Sequence, residues 1–128
     1  MEAGQSWNPQ KNIFACEADD EKSLAAYIRR FRPDAIACGN DLDASKLLRT
    51  LKKLRIAVPS RVMVTGFDDL PASAQFVPAL TTVRQVFSDL AEVAADVLFR
   101  RMADPNLPVV TISLPTKLIV RESTKRPE

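Results

Sequence analysis

Two short segments set polar side chains where apolar runs stop: Gly39-Asn40-Asp41 after Asp34–Cys38, and Gly66-Phe67-Asp68-Asp69 after Val62–Val64. An amide donates and accepts, and a carboxylate accepts from two hydroxyls at once, so this set suits a polyhydroxylated ligand without a metal or a catalytic base. Taken singly, each group has an ordinary reading. Asn40 and Asp41 read as helix caps, and Asp68 and Asp69 as a solvated turn. Their coincidence at two strand ends sets a ligand-site reading level with these ordinary ones, because ligands in open parallel sheets bind beyond the carboxyl ends of the strands.

The elements that would carry them alternate strand and helix, the pattern of parallel βαβ units. Asn12–Cys16 reads as a first strand. Asp19 or Asp20 caps a helix through Phe31 that is ended by Pro33, with Leu24, Ala25, Ile28 and Phe31 on one face. Asp34–Cys38 is a second strand, and a helix from about Asp41 to Arg55 buries Leu47, Leu48, Leu51 and Leu54 while Lys46, Arg49, Lys52, Lys53 and Arg55 face water. Val62–Gly66 is a third strand, apolar on both faces as a central parallel strand should be. An irregular, proline-containing stretch then leads to an extended Thr81–Val86. Ser88 caps a helix Asp89–Met102, and Val109–Leu114 and Thr116–Val120 close the chain as extended pieces before a polar tail.

Composition excludes several classes. The 128 residues fit one domain; 46% are hydrophobic and 27% charged, which supports a globular core. With 18 basic and 16 acidic residues the net charge is +2, too balanced for nucleic-acid binding by this segment itself. The chain has no histidine, and Cys16 and Cys38 are its two cysteines, which removes most zinc sites and every histidine-dependent triad. Glycines stand only at positions 4, 39 and 66, so there is no glycine-rich phosphate loop. No apolar run approaches the roughly 20 residues needed to span a bilayer, and the N-terminus lacks a signal-peptide layout, which makes the cytoplasm the default location. Cys16 and Cys38 would end neighbouring strands; free buried thiols fit that compartment better than a disulfide.

Four stretches, "PDAIACGND", "RIAVPSRVMVTGFDDLP", "FVPALTTVRQ" and "LPTKLIVRES", resemble in order and spacing the C-terminal half of the effector-binding domain of lactose-repressor/galactose-repressor (LacI/GalR) transcription regulators. The resemblance covers roughly Ile13–Thr124. It implies an α/β, parallel-sheet, Rossmann-like periplasmic binding protein type I fold. Here that fold would comprise an incomplete C-terminal subdomain plus a crossover helix. Residues 1–11 would be an unplaced leader, 12–83 the βαβαβ part, 84–108 the crossover and helix toward the N-terminal subdomain, and 109–128 closing strands and tail. The chain then starts inside the core, as a fragment with Met1 an internal or engineered start.

The resemblance also implies roles. Asp68 matches the family's ligand-binding aspartate, Asn40 a sugar-contacting position, and Gln85 and Phe87 pocket-lining positions, with Phe87 stacking on an apolar sugar face. Phe76 and Ser45 match dimer-interface positions, where Ser45 replaces a residue that is often larger and apolar. The expected partners are a small-molecule effector of sugar type, operator DNA through an N-terminal headpiece outside this chain, and a second copy in a homodimer. No membrane, metal, cofactor or catalysis is expected. Two other readings stand beside it: a periplasmic sugar-binding protein of a transport system, which shares the core, and an enzyme or phosphoacceptor module in which Asp68 and Asp69 hold magnesium. A chain carrying only part of a subdomain exposes edges and faces, so self-association is expected.

Overall fold

The computed structural model describes residues 12–15 and 17–125. Helix α1, Glu21–Phe31, starts where Asp20 accepts a hydrogen bond from the Ser23 N–H and ends at Arg32, whose φ of 45° is left-handed. Its Leu24 and Ile28 are buried, one turn apart on the predicted face. Strand β1, Ala35–Ala37, leads through Asn40 into α2, Asp41–Lys53, which buries Ala44, Leu47, Leu48 and Leu51. Arg55, with φ 56°, turns the chain toward β2, Met63–Thr65, which runs parallel to β1 with Ile36 opposite Val64. The core lies between the two helices and these strands: Leu24, Ile28, Ala44, Leu47, Leu48, Leu51, Val62, Val64 and Leu80 form one cluster. Leu54 is only partly buried and packs at its margin.

Beyond β2 the chain passes a 3-10 turn at Pro71–Ala74 and enters β3, Thr82–Arg84. Segments flanking β2 and β3 run parallel through bridges at Thr65–Thr81 and Asp68–Arg84, with the Gly66 and Asp68 N–H groups donating to the Thr81 and Val83 carbonyls, each at 2.9 Å. Helix α3, Phe87–Ala103, follows, and β4, Lys117–Ile119, pairs antiparallel to β3.

Four expectations need correction. Ile13, Phe14 and Ala15 form no strand, and the proposed strand's last residue, Cys16, lies outside the described residues. A three-residue apolar run has no ladder to join unless a neighbour offers an edge. Ser88 does not cap α3: the helix already includes Phe87, Val86 takes the cap position without a side-chain hydrogen bond, and the Ser88 hydroxyl donates to Asp89 Oδ1. Val109–Leu114 is not a strand; Val109, Val110 and Ile112 are exposed, and the segment runs beside α3 around a shallow apolar cleft. The polar tail is not all solvated: a 3-10 turn at Glu122–Thr124 inserts Ser123 into the interior.

Candidate ligand site at the strand ends

Asn40 is the N-cap of α2. Its Oδ1 accepts from the Asp43 N–H at 2.8 Å and its Nδ2 donates to Asp43 Oδ2 at 3.0 Å, so the ordinary capping reading describes what this side chain does. Asp41, in the first turn, is fully buried. Its Oδ1 accepts from the Thr82 hydroxyl at 2.6 Å, and its Oδ2 from the Leu70 N–H at 2.9 Å and the Ser73 hydroxyl at 2.5 Å. Three donors and the positive end of α2 offset the desolvation of this anion. Gly66 makes the approach feasible. A Cβ there would collide with Asp41 Oδ1 and come within 2.9 Å of Leu80 Cδ2. Asp41 is therefore an internal tie between α2, the loop after β2 and β3, not a pocket carboxylate. The signal for this was available in the pairing of an aspartate after "GN" with a glycine ending the next strand and a Thr-Thr pair beyond.

Asp68 and Asp69 diverge although adjacent. Both have positive φ, 111° and 56°. The second value is one that aspartate tolerates; a non-glycine residue near the first costs on the order of 1–3 kcal/mol and persists only where its surroundings hold it. Asp69 points inward. Its carboxylate is 5% exposed and meets Arg84 Nε and Arg121 Nη2, each at 2.6 Å. Burial pushes its pKa up, but hydrogen bonds and charge from Arg121 and Arg84 prevail, so the group titrates below the ordinary aspartate range. Asp68 is half-buried and points to the segment leaving β3, where its Oδ1 accepts from Gln85 Nε2 at 2.8 Å. Its Oδ2 has no partner among the described residues. Phe87, two residues on, is 50% exposed. The structure thus joins Asp68 to Gln85, leaves Phe87 exposed two residues beyond Gln85, and sets Asn40 at the neighbouring strand end.

Thr116–Val120 was read as extended and contains β4, but the residues after it, read as a polar tail, support this surface from behind. Ser123 Oγ donates to the Val64 carbonyl at 2.6 Å and accepts from the Thr81 N–H at 2.8 Å. Arg121 donates its backbone N–H to Thr81 Oγ1 at 2.8 Å and its Nη1 to the Leu80 carbonyl at 2.8 Å. Glu122 Oε2 accepts from the Ala79 N–H at 2.9 Å. "RES" is therefore a clip across the backbone that mounts Asp68 and Asp69.

Elsewhere, Ser45 and Phe76 line one shallow cleft of about 210 Å3 with Leu48, Arg49, Lys52 and Val77, so the two interface expectations share a face. The Ser45 hydroxyl donates to the Leu42 carbonyl one turn back at 2.7 Å. Cys38 is a free thiol in a cavity of about 630 Å3 with Phe14, Tyr27 and Ile36; burial, with Asp43 and Asp41 nearby, pushes its pKa up to about 11. Among the described residues, no group of three acidic, cysteine or histidine side chains is placed to hold a metal, and no helix is long and apolar enough to cross a membrane.

A parallel βαβ core with polar side chains gathered at its strand ends defines the class, a periplasmic-binding-protein-like α/β fold. The chain matches the periplasmic binding protein-like domain family over residues 1–124 and belongs to it. Within that family it corresponds to the effector-binding domain of LacI/GalR regulators. It is 31% identical over 112 residues to the HTH-type transcriptional repressor PurR of Photobacterium profundum, covering 88% of this chain and 34% of that protein. A cellobiose complex of the transcriptional regulator CelR superposes with a TM-score of 0.74 at 28% identity, over 84% of this chain and 32% of that one. The Lac repressor dimer bound to operator and the anti-inducer ONPF gives 0.69 at 26% identity, over 81% and 35%. The chain thus spans about a third of the length of these relatives.

Proposed function

We infer that this chain is the C-terminal part of the effector-binding domain of a DNA-binding transcriptional regulator, and that it supplies one wall of a pocket for a sugar or sugar derivative. The observation that carries this reading is the Asp68 carboxylate, held in an unfavourable backbone conformation at a strand end with one oxygen left to accept a hydroxyl. Gln85 adds an amide beside it, Phe87 an exposed ring for an apolar sugar face, and Asn40 keeps its cap at the neighbouring strand end. The CelR complex with cellobiose supports a saccharide as the ligand class.

Operator DNA is contacted by a headpiece outside this chain, and the Ser45–Phe76 face meets a second copy, as the Lac repressor dimer on its operator suggests. Residues 12–83 and the closing segment form the C-terminal subdomain. Helix α3, which buries no residue and exposes Leu90, Leu98, Phe99 and Met102, packs on the N-terminal subdomain. Effector binding shifts the relative orientation of the two subdomains by as much as its differential affinity for the two states allows. The relatives are repressors, which favours regulation over both transport and catalysis. In the intact protein Asp68→Ala abolishes the operator response to effector while leaving the fold. An effector response equal to that of the parent overturns the assignment.

A further inference from the structure

The contact between Asp68 and Gln85 does not stand alone. Asp69 follows Asp68 and Arg84 precedes Gln85, so the 2.8 Å amide contact and the 2.6 Å ion pair are adjacent rungs across the same two segments. Below them, the Asp68 N–H donates to the Val83 carbonyl at 2.9 Å. The second guanidinium on Asp69 belongs to Arg121, whose other nitrogen is tied to the Leu80 carbonyl at 2.8 Å, so Asp69 is anchored to backbone from one side and to β3 from the other. Two successive left-handed aspartates are not self-supporting. Their conformation needs an outside hold; Asp68 has one neutral amide and one backbone bond, whereas Asp69 is held by two guanidinium groups.

We propose that Asp69, clamped between Arg84 and Arg121, is the positioning residue for Asp68: the paired ions hold the 68–69 backbone so that the Asp68 carboxylate faces Gln85 with its second oxygen presented to ligand. This rests on the reading of Asp68 as the effector's hydroxyl acceptor. It assigns Asp69 no contact with the ligand. A loss of the clamp lets both φ angles relax and swings the Asp68 carboxylate out of register with Gln85. Ligand specificity then depends on an ion pair that no ligand touches.

The test reads Gln85 directly. In the intact regulator labelled with 15N-glutamine this chain contributes four side-chain amides, from Gln5, Gln10, Gln75 and Gln85, and Gln85→Glu identifies the signal. Asp69→Asn keeps the residue type's tolerance of left-handed φ but removes the charge. Exchange of the Gln85 amide hydrogens with solvent is then expected to accelerate on the order of tenfold, as it does in Asp68→Ala. Arg84→Gln, at a half-exposed side chain, preserves the fold if Asp69→Asn does not, and moves the same signal in the same direction. Leu51→Ala, a cavity in the core, lowers stability and leaves the signal in place; this separates positioning from general loosening. An unmoved Gln85 signal in the folded charge-removing variants overturns the proposal. Failure of the effector assignment looks different: Gln85 still responds to Asp69→Asn, but saccharide affinity is the same with and without Asp68.

Discussion

Behind the strand ends lies an interior of anions with both oxygens engaged, Asp41 by Leu70, Ser73 and Thr82 and Asp69 by Arg84 and Arg121. In front of it lies a rim where Asp68 keeps one oxygen open beside Gln85 and the exposed Phe87. The same residue type serves opposite ends within a few ångströms because solvation, not identity, decides its role. Filled acceptors make a carboxylate a structural tie; an open one makes it a recognition group.

Substitutions can break this contrast. Asp41→Ala strands three donors, two of them in buried hydrogen bonds, and is expected to cost about 3–5 kcal/mol in urea unfolding, the largest effect in the set. Gly66→Ala pushes a methyl against Asp41 and Leu80 and should cost about 1–3 kcal/mol by the same measurement. A smaller effect marks the rim: Asp68→Gly removes a strained φ and is expected to raise stability by about 0.5–1 kcal/mol while removing effector binding. A tie like Asp41 would do the reverse, so a clear loss of stability in Asp68→Gly would place it with the interior.

Acid sharpens the same contrast. Asp69 has its pKa lowered in the folded state, so its stabilisation is fully present above the unfolded aspartate value of about 3.9 and is lost as pH falls through the lower folded value. The acid limb of a melting-temperature profile should therefore be shallower in Asp69→Asn. The smallest effect concerns the free thiol. With Cys16→Ser removing the other cysteine, Cys38 should react slowly with iodoacetamide near neutral pH and speed up as pH climbs toward about 11.

Much of the frame was legible because it rests on local rules. Helices α1 and α2 follow from apolar spacing and from Asp20 and Asn40 at their caps, and β1 and β2 from short apolar runs between turn signals. The misses share a cause: each depends on a distant partner. Ser123 and Arg121 look like tail residues until Val64, Thr81 and Asp69 are placed against them. Asp41 looks like a helix cap or a strand-end ligand group until Gly66 lets it in. Asn12–Ala15 and Val109–Leu114 carry strand-like composition, and composition supplies no neighbouring edge. At the site, residue types at the strand ends singled out Asp68 and Asn40, the family resemblance added Gln85 and Phe87, and the structure separates the open carboxylate at Asp68 from the capping role of Asn40.

The account turns on the second oxygen of Asp68. Isothermal titration of the intact regulator against a panel of mono- and disaccharides that includes cellobiose, repeated with Asp68→Asn, tests it most directly. A saccharide that binds the parent and loses on the order of a hundredfold in affinity to the variant is the expected result, since each hydrogen bond to a charged acceptor contributes about 1.5–3 kcal/mol. Equal affinities in parent and variant, at unchanged melting temperature, would contradict it.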